Sequence, residues 1–405
     1  MVQQGNSSDP YSLARNGFMP QEEMLEVGQK KKQMVIGIPK ETQTSEKRVA
    51  LTPEAVELLV ANGHDVLLEK GAGKSANYTD NNYSELGGMI VDTRAELYKA
   101  DIILKVGPPT LKEIDHLTEH QILISSLHKS YYSQDYIQKL ISKRITAIAF
   151  EKVKDEYDKY PVVNSMSAIA GNTSIMVAAE YLSNEHGGKG VLLGGVTGIT
   201  PTEVVIIGAG TAAEFAIRAA LGLGASIKVF DSSIHKLRML QENIGQQLYT
   251  SIFHPKVLKK ALRSADVLIG ELVDEESDFY VSEDMVKEMK KGSVIVDISL
   301  DQGGCIETIE CKDGNGPVFT KHGVIHYCIP NLPSRVSRTA SIALSNVIAP
   351  LLHKIADAGG VQQELKRNRG LRNGVYIFNG ILTNHSIGQY LGLPTKDIDL
   401  LMAAF

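Results

Sequence analysis

Apolar positions along the chain fall into short runs separated by polar stretches of helical length. The first run is 34–38; after it come Thr52-Pro53-Glu54, the apolar positions Val56, Leu58, Leu59 and Val60, and then Asn62-Gly63. This order predicts a strand, a loop and a helix. Thr52 suits the N-cap, Pro53 the first helical position and Gly63 the stop, each matched to the geometry or missing hydrogen bonds of a helix end. Further runs follow at 66–69, 102–104, 122–127 and 146–150. Apolar strands alternating with helical segments are how a largely parallel sheet reads, because helices cover both of its faces.

A second block of the same kind opens at Glu203, with strands expected at 204–207, 227–230, 267–269, 294–298 and 324–329. Between the blocks, Ser165-Met166-Ser167-Ala168-Ile169-Ala170-Gly171-Asn172 leads into a helical segment through 176–182 that could bridge two domains. The glycine-dense stretch 187–196 reads as a small hairpin or an irregular loop. From 337 to 356 the residues Ile342, Leu344, Val347, Ile348, Leu351 and Leu352 recur at helical spacing without a strand signal. This long helix returns the chain to the first block and begins a helical tail.

Composition narrows the class. The 405 residues are enough for two or three domains. Forty-two basic against 47 acidic residues leave a net charge of -5, which offers no field for nucleic acid or an anionic membrane surface. Charge or glycine interrupts the apolar runs before the roughly 18 residues of a spanning helix, so no transmembrane segment is expected. Cys305, Cys311 and Cys328 are an odd number without zinc-ligand spacing; reduced thiols in the cytoplasm and no metal site are the expectation. Residues 1–33 are polar, end near Lys30-Lys31-Lys32 and lack the apolar segment of a secretory signal. They read as an appendage, with 21–32 either a short polar helix or a frayed terminus.

Candidate chemistry begins at Val204-Val205-Ile206-Ile207-Gly208-Ala209-Gly210-Thr211-Ala212-Ala213. A buried strand runs into GxGxxA and then a helix. Gly208 permits the tight turn, Gly210 lets a pyrophosphate approach the backbone, and Ala213 lets helix and strand pack, with the phosphates on the helix N-terminus. The glycines alone could mark only a turn. Asp231, 23 residues after Gly208 at the end of the next strand, adds the acid that takes ribose hydroxyls. Its carboxylate would repel a 2′-phosphate, which favours NAD over NADP, although Lys236 nearby could offset part of that repulsion. The second block is therefore expected to be a Rossmann domain.

Ligands of open parallel sheets bind beyond the carboxyl ends of the strands. In the first block Arg48 lies in the loop after the first strand, Lys105 follows 102–104, and His128 follows the run ending at Leu127. Each alone reads as an ordinary loop cation or a hydrogen-bonded histidine. Together they make a site for a small carboxylate, which arginine can hold through two parallel hydrogen bonds. In the second block Asp297 reads as structural, and Asp301, beside Gly303-Gly304, as the acid/base candidate.

At these residues the chain resembles the alanine dehydrogenase family, in the superfamily shared with the nicotinamide-binding subunit of transhydrogenase. The resemblance runs over nearly all of 34–405 and rests on Gly37-Ile38-Pro39-Lys40-Glu41-Thr42, Arg48-Val49-Ala50-Leu51-Thr52-Pro53, Gly71-Ala72-Gly73, the glycine-rich run from Gly187 into Gly208-Ala209-Gly210-Thr211-Ala212, and Asp301-Gln302-Gly303-Gly304-Cys305. It implies an α/β protein of two domains joined by long helices. One is a discontinuous, flavodoxin-like substrate domain over 34–163 and 338–405, and the other an NAD-binding domain over 164–337.

The resemblance further implies reversible oxidative deamination of L-alanine to pyruvate and ammonium by a homo-oligomer, commonly a hexamer. Arg48 and Lys105 would bind substrate; His128 and Asp301 would handle protons. Ser167, Asn331 and Leu332 would line the nicotinamide, and Asp231 with Lys236 the adenine ribose. The family's Lys-Glu-Pro after the lysine is Gly107-Pro108-Pro109 here, and its Met-Ser-Glu-x-Ala-Gly-Arg is 166–172, so two charges near the cleft are absent. Substrate preference thus stays open to another small 2-amino acid, as does a transhydrogenase-like or a catalytically silent NAD-binding role.

Overall fold

The structure is a computed structural model that describes residues 33–128, 131–272, 280–310 and 316–404, without the side chains of Asp301 and Ala404. The appendage, save its last residue, and Cys311 lie outside the described residues.

Two sheets organise the chain. The first contains β1 (Val35–Ile38), β2 (Asp65–Glu69), β3 (Met89–Val91), β4 (Ile102–Leu104), β5 (Ile122–Ser125) and β6 (Thr146–Ala149), all parallel. The second contains β7 (Glu203–Ile207), β8 (Ser226–Phe230), β9 (Tyr249–Ser251), β10 (Val267–Gly270), β11 (Val294–Asp297), β12 (Val318–Lys321) and β13 (Val324–Tyr327). The C-terminal β14 (Val375–Phe378) and β15 (Ile381–Leu382) then join the first sheet antiparallel at its edge, where a helical tail was expected.

The strand order of the first sheet is β15-β14-β6-β5-β4-β1-β2-β3, so β1, β4 and β5 are neighbours at its centre. Every residue of β4, β6, β10, β11, β13 and β14 is buried, as strands covered on both faces must be. The second sheet runs β12-β13-β11-β10-β7-β8-β9 with only β12 antiparallel. From β7 the chain builds outward through β8 and β9, then returns to the other side of β7 with β10. That reversal is the switch point at which open sheets bind ligands.

Two long helices join the sheets. Pro161–Leu182 is longer than the reading of 176–182 and already includes Ser165 and Met166. Its Gly171 lies so close to the helix Thr211–Gly222 that a Cβ there would sit 2.1 Å from the Ala212 carbonyl oxygen. Ser337–Asp357 carries serines four apart, which face one side of a helix. Ser337 donates to the Ser75 carbonyl at 2.9 Å, Ser341 accepts from Val49 N–H at 2.9 Å and Ser345 from Thr52 N–H at 3.1 Å. The loop after β1 is thus bolted to the helix.

By length and composition both Pro161–Leu182 and the stretch Leu332–Asp357 could cross a membrane, which the reading of interrupted runs did not anticipate. Their most apolar windows are 44% and 56% buried inside the molecule. The glycine-dense stretch forms a loop with a single antiparallel bridge, Val196 to Ile199.

Candidate active site

The central strands of the first sheet end in three loops that carry Arg48, Lys105 and His128. Arg48 is 8% exposed. Its Nε and Nη2 donate to the two oxygens of Glu46 at 2.7 and 2.6 Å, and its backbone N–H adds a bond to Oε1 at 3.0 Å. Burial opposes ionisation of Glu46, but the charge and bonds of Arg48 outweigh it and hold the carboxyl below its ordinary pKa. Arg48 Nη1 points at the Met166 sulfur, 3.3 Å away on the long helix beside Ser167.

Lys105, at the end of β4, is 1% exposed and balanced by two carboxylates. Its Nζ is 3.0 Å from Glu113 Oε1 and 3.3 Å from Glu41 Oε2. Glu113 also closes a capping box on Thr110, accepting from its N–H at 2.8 Å. Burial raises the Glu113 carboxyl, but Lys105 and Thr110 prevail and keep it low. At Glu41 burial prevails and pushes the carboxyl up, although Lys105 and the Val106 N–H, 2.7 Å from Oε1, pull the other way. On the next strand end, exposed His128 places Nε2 3.3 Å from Ser126 Oγ, which donates to the Val106 carbonyl at 2.6 Å. Lys105 and His128 are therefore linked through one serine and one peptide.

The second sheet presents a different edge. Gly208 has φ of 113°, a conformation glycine adopts at no steric cost. Asp231 is 1% exposed; it accepts from Ala209 N–H at 2.9 Å through Oδ2 and from Ser233 N–H at 2.7 Å through Oδ1. It thereby shapes the turn. Lys236 is exposed on the first turn of the helix Ile234–Ile244. The N–H groups of Gly210, Ala212 and Ala213 converge on one carboxylate, that of Glu271 just past β10, at 3.1, 2.8 and 2.9 Å. This carboxyl group occupies the backbone donors at the start of the helix Thr211–Gly222.

Asp297 is structural as read, since its oxygens bind Ser299 N–H at 2.9 Å and Cys305 N–H at 2.8 Å and so tie down the loop between. Asp301 sits on that loop, in the short turn Leu300–Gln302; its side chain lies outside the described residues. Asn331, in left-handed geometry after β13, donates to Glu46 Oε2 at 3.0 Å, and Ser334 accepts from Lys47 N–H at 2.7 Å. Leu332 is buried beside it. Glu46 thus joins the Arg48 loop of one sheet to the β13 end of the other. Along the second edge the order is Asn331, Asp301, Glu271, the glycine turn and Asp231, about 19 Å across four strand spacings.

Residues 37–170 match the family model described as Alanine dehydrogenase/PNT, N-terminal domain, and 174–385 match Alanine dehydrogenase/PNT, C-terminal domain. The chain belongs to the alanine dehydrogenase/PNT family. It is 40% identical over 365 residues to an alanine dehydrogenase of Methanococcus maripaludis, covering 89% of this chain and 97% of that one. It is 37% identical over 369 residues to an alanine dehydrogenase of Staphylococcus saprophyticus, covering 90% and 99%. A solved L-alanine dehydrogenase structure superposes with a TM-score of 0.82 at 34% identity, covering 88% and 98%.

Against this family background, what the residue reading missed are the carboxylates. Glu46, Glu41 and Glu113 hold the cations, and Glu271 fills the glycine turn. Glu41 and Glu46 stand in loops already singled out for Arg48, and a buried cation requires a counter-charge. Glu113 carries the signature of a capping box, Thr-x-x-Glu from Thr110. Glu271 had one signal, a lone acid directly after a fully apolar strand at the switch point.

Proposed function

We propose that the chain catalyses the NAD-dependent, reversible oxidative deamination of L-alanine to pyruvate and ammonium. The observation that carries this reading is the joining, through Glu46 and Asn331, of a cationic strand-end site on one sheet to the strand-end edge of the other that also carries the GxGxxA turn, in a chain of this family. When bound, NAD supplies the hydride acceptor. Gly208, Ala209, Gly210, Thr211 and Ala212 would hold its phosphates, Asp231 and Lys236 its adenine ribose, and Ser167, Asn331 and Leu332 its nicotinamide end.

The remaining roles fall to side chains. Arg48 keeps one edge on Glu46, and its Nη1 faces a thioether that a substrate carboxylate would displace as the far stronger acceptor. Lys105 has three donors and two internal carboxylates, so the third donor serves the substrate. His128 and Asp301 take and return protons as the amine becomes a carbonyl, worth roughly 10²–10⁴ in rate. Closure of the cleft between the sheets would exclude water from these groups.

We assign 34–163 with 338–405 to the substrate domain and 164–337 to the NAD-binding domain. The membership of β14 and β15 in the first sheet supports this division. The same reading places the enzyme in the cytoplasm as a homo-oligomer, most simply a hexamer, which sedimentation of the full chain would measure. The deciding experiment is NADH formation across a panel of amino acids at alkaline pH. L-alanine should give the fastest reduction; NADH binding without reduction by any small 2-amino acid would overturn the assignment.

A further inference from the structure

Glu271 has no part in the chemistry above, yet it sits in the most sensitive part of the cofactor site. Its two oxygens take the N–H groups of Gly210, Ala212 and Ala213, the donors that a dinucleotide pyrophosphate requires. The contact is tight: a Cβ at Gly210 would lie 2.6 Å from Glu271 Oε1, and one at Gly208 3.2 Å from its Cβ. Carboxylate and phosphate therefore contest the same face of the glycine turn. Glu271 is held in place from behind, since its own N–H donates to the Ile207 carbonyl at 2.9 Å, the residue that precedes Gly208.

We propose that Glu271 is an internal competitor for the pyrophosphate site: the dinucleotide binds only after this carboxylate leaves the turn, and that exchange sets the affinity for NAD(H). The inference rests on the dinucleotide reading of the turn and adds to it a residue that tunes cofactor affinity. Two anions cannot share three N–H donors and the positive end of one helix. The observed affinity is then the intrinsic affinity reduced by the fraction of molecules in which the turn is open. A neutral adenosine moiety needs none of these donors and should not sense the exchange.

The test compares the full chain with Glu271→Ala and Glu271→Gln, by titration calorimetry or NADH fluorescence, using NADH, ADP and adenosine as probes. Thermal melting verifies that each variant folds. Glu271→Ala should bind NADH and ADP about tenfold tighter or more, with adenosine unchanged. Glu271→Gln, which loses the charge and keeps one acceptor oxygen, should fall between. Equal or weaker NADH and ADP binding in folded variants, or equal tightening for adenosine, would overturn the competitor role while leaving the cofactor site intact. Failure of wild type and variants alike to bind NADH would overturn the dinucleotide reading, and the competitor with it.

Discussion

The two sheet edges both set internal carboxyl groups against positive charge, but they differ in what supplies that charge. On the first edge it comes from side chains, Arg48 and Lys105, buried against Glu46, Glu113 and Glu41. On the second it comes from backbone N–H groups at the start of the Thr211–Gly222 helix, matched by Glu271. A buried ion pair cannot lose one member without stranding the other in a low dielectric. A ring of N–H groups can exchange one anion for another, or for water, at little cost. The first set of carboxylates is therefore part of the scaffold, and Glu271 is replaceable.

The largest expected effect breaks the first edge. Lys105→Met strands Glu41 and leaves Glu113 with Arg94 and Thr110, and should lower unfolding free energy in urea by about 3 kcal/mol while abolishing alanine turnover. Near-native stability would show that the carboxylates do not need the lysine, and the contrast between the edges would fail. Next is Asp301→Asn, which should reduce turnover by roughly 10²–10⁴ with NADH affinity kept; unchanged turnover would remove Asp301 from proton transfer. Glu46→Gln loosens Arg48 and should raise the KM for alanine about tenfold, the scale of one charge-assisted hydrogen bond, with a smaller change in NADH binding. A larger effect on NADH than on alanine would move Glu46 to the cofactor side.

The smallest effect sharpens the second edge through pH. Burial, opposed by its three N–H bonds and assisted by Asp231, pushes the Glu271 carboxyl up to about 7. Other charged groups near the turn are engaged elsewhere: Asp297 in its own loop and Glu214 with Arg218 at 2.8 Å. Released to water, Glu271 would return to about 4.3, so NADH binding should release a proton below neutral pH. A group whose pKa falls on binding favours binding at higher pH. NADH affinity should thus weaken several-fold between about pH 8 and about pH 6, and Glu271→Ala should flatten that slope.

Much of this architecture was legible along the chain. Strands β1, β4 to β7, β10, β11 and β13 announce themselves as apolar runs because nearly all of their residues are buried, and β2 and β8 by a shorter apolar core within them. The strands that escaped, β3, β9, β12 and β15, lie at or next to sheet edges, where exposure thins the apolar signal. Strand β14 escaped for another reason: Val375–Phe378 is fully apolar but directly follows the helix Arg369–Gly374, and nothing local announces a return to a sheet begun some 340 residues earlier. The GxGxxA turn and Asp231 were legible because they encode backbone conformation and a local acid. Arg48, Lys105 and His128 were legible only as strand-end residues.

Amino-acid order alone thus set the two sheets, the dinucleotide turn and the roster of cations, since each depends on burial or backbone geometry within a few neighbouring residues. Folding chose the counter-charges. Glu46 meets an asparagine 285 positions away, and Glu271 meets N–H groups some sixty positions before it. The second pair forms because β7 lies against β10, and the first because the loop after β1 reaches the end of β13 in the other sheet, neither of which is written in a local pattern. Coulomb attraction and hydrogen bonding act through space, so which carboxylate supports a cation and which one contests the cofactor appear only once the chain is closed upon itself.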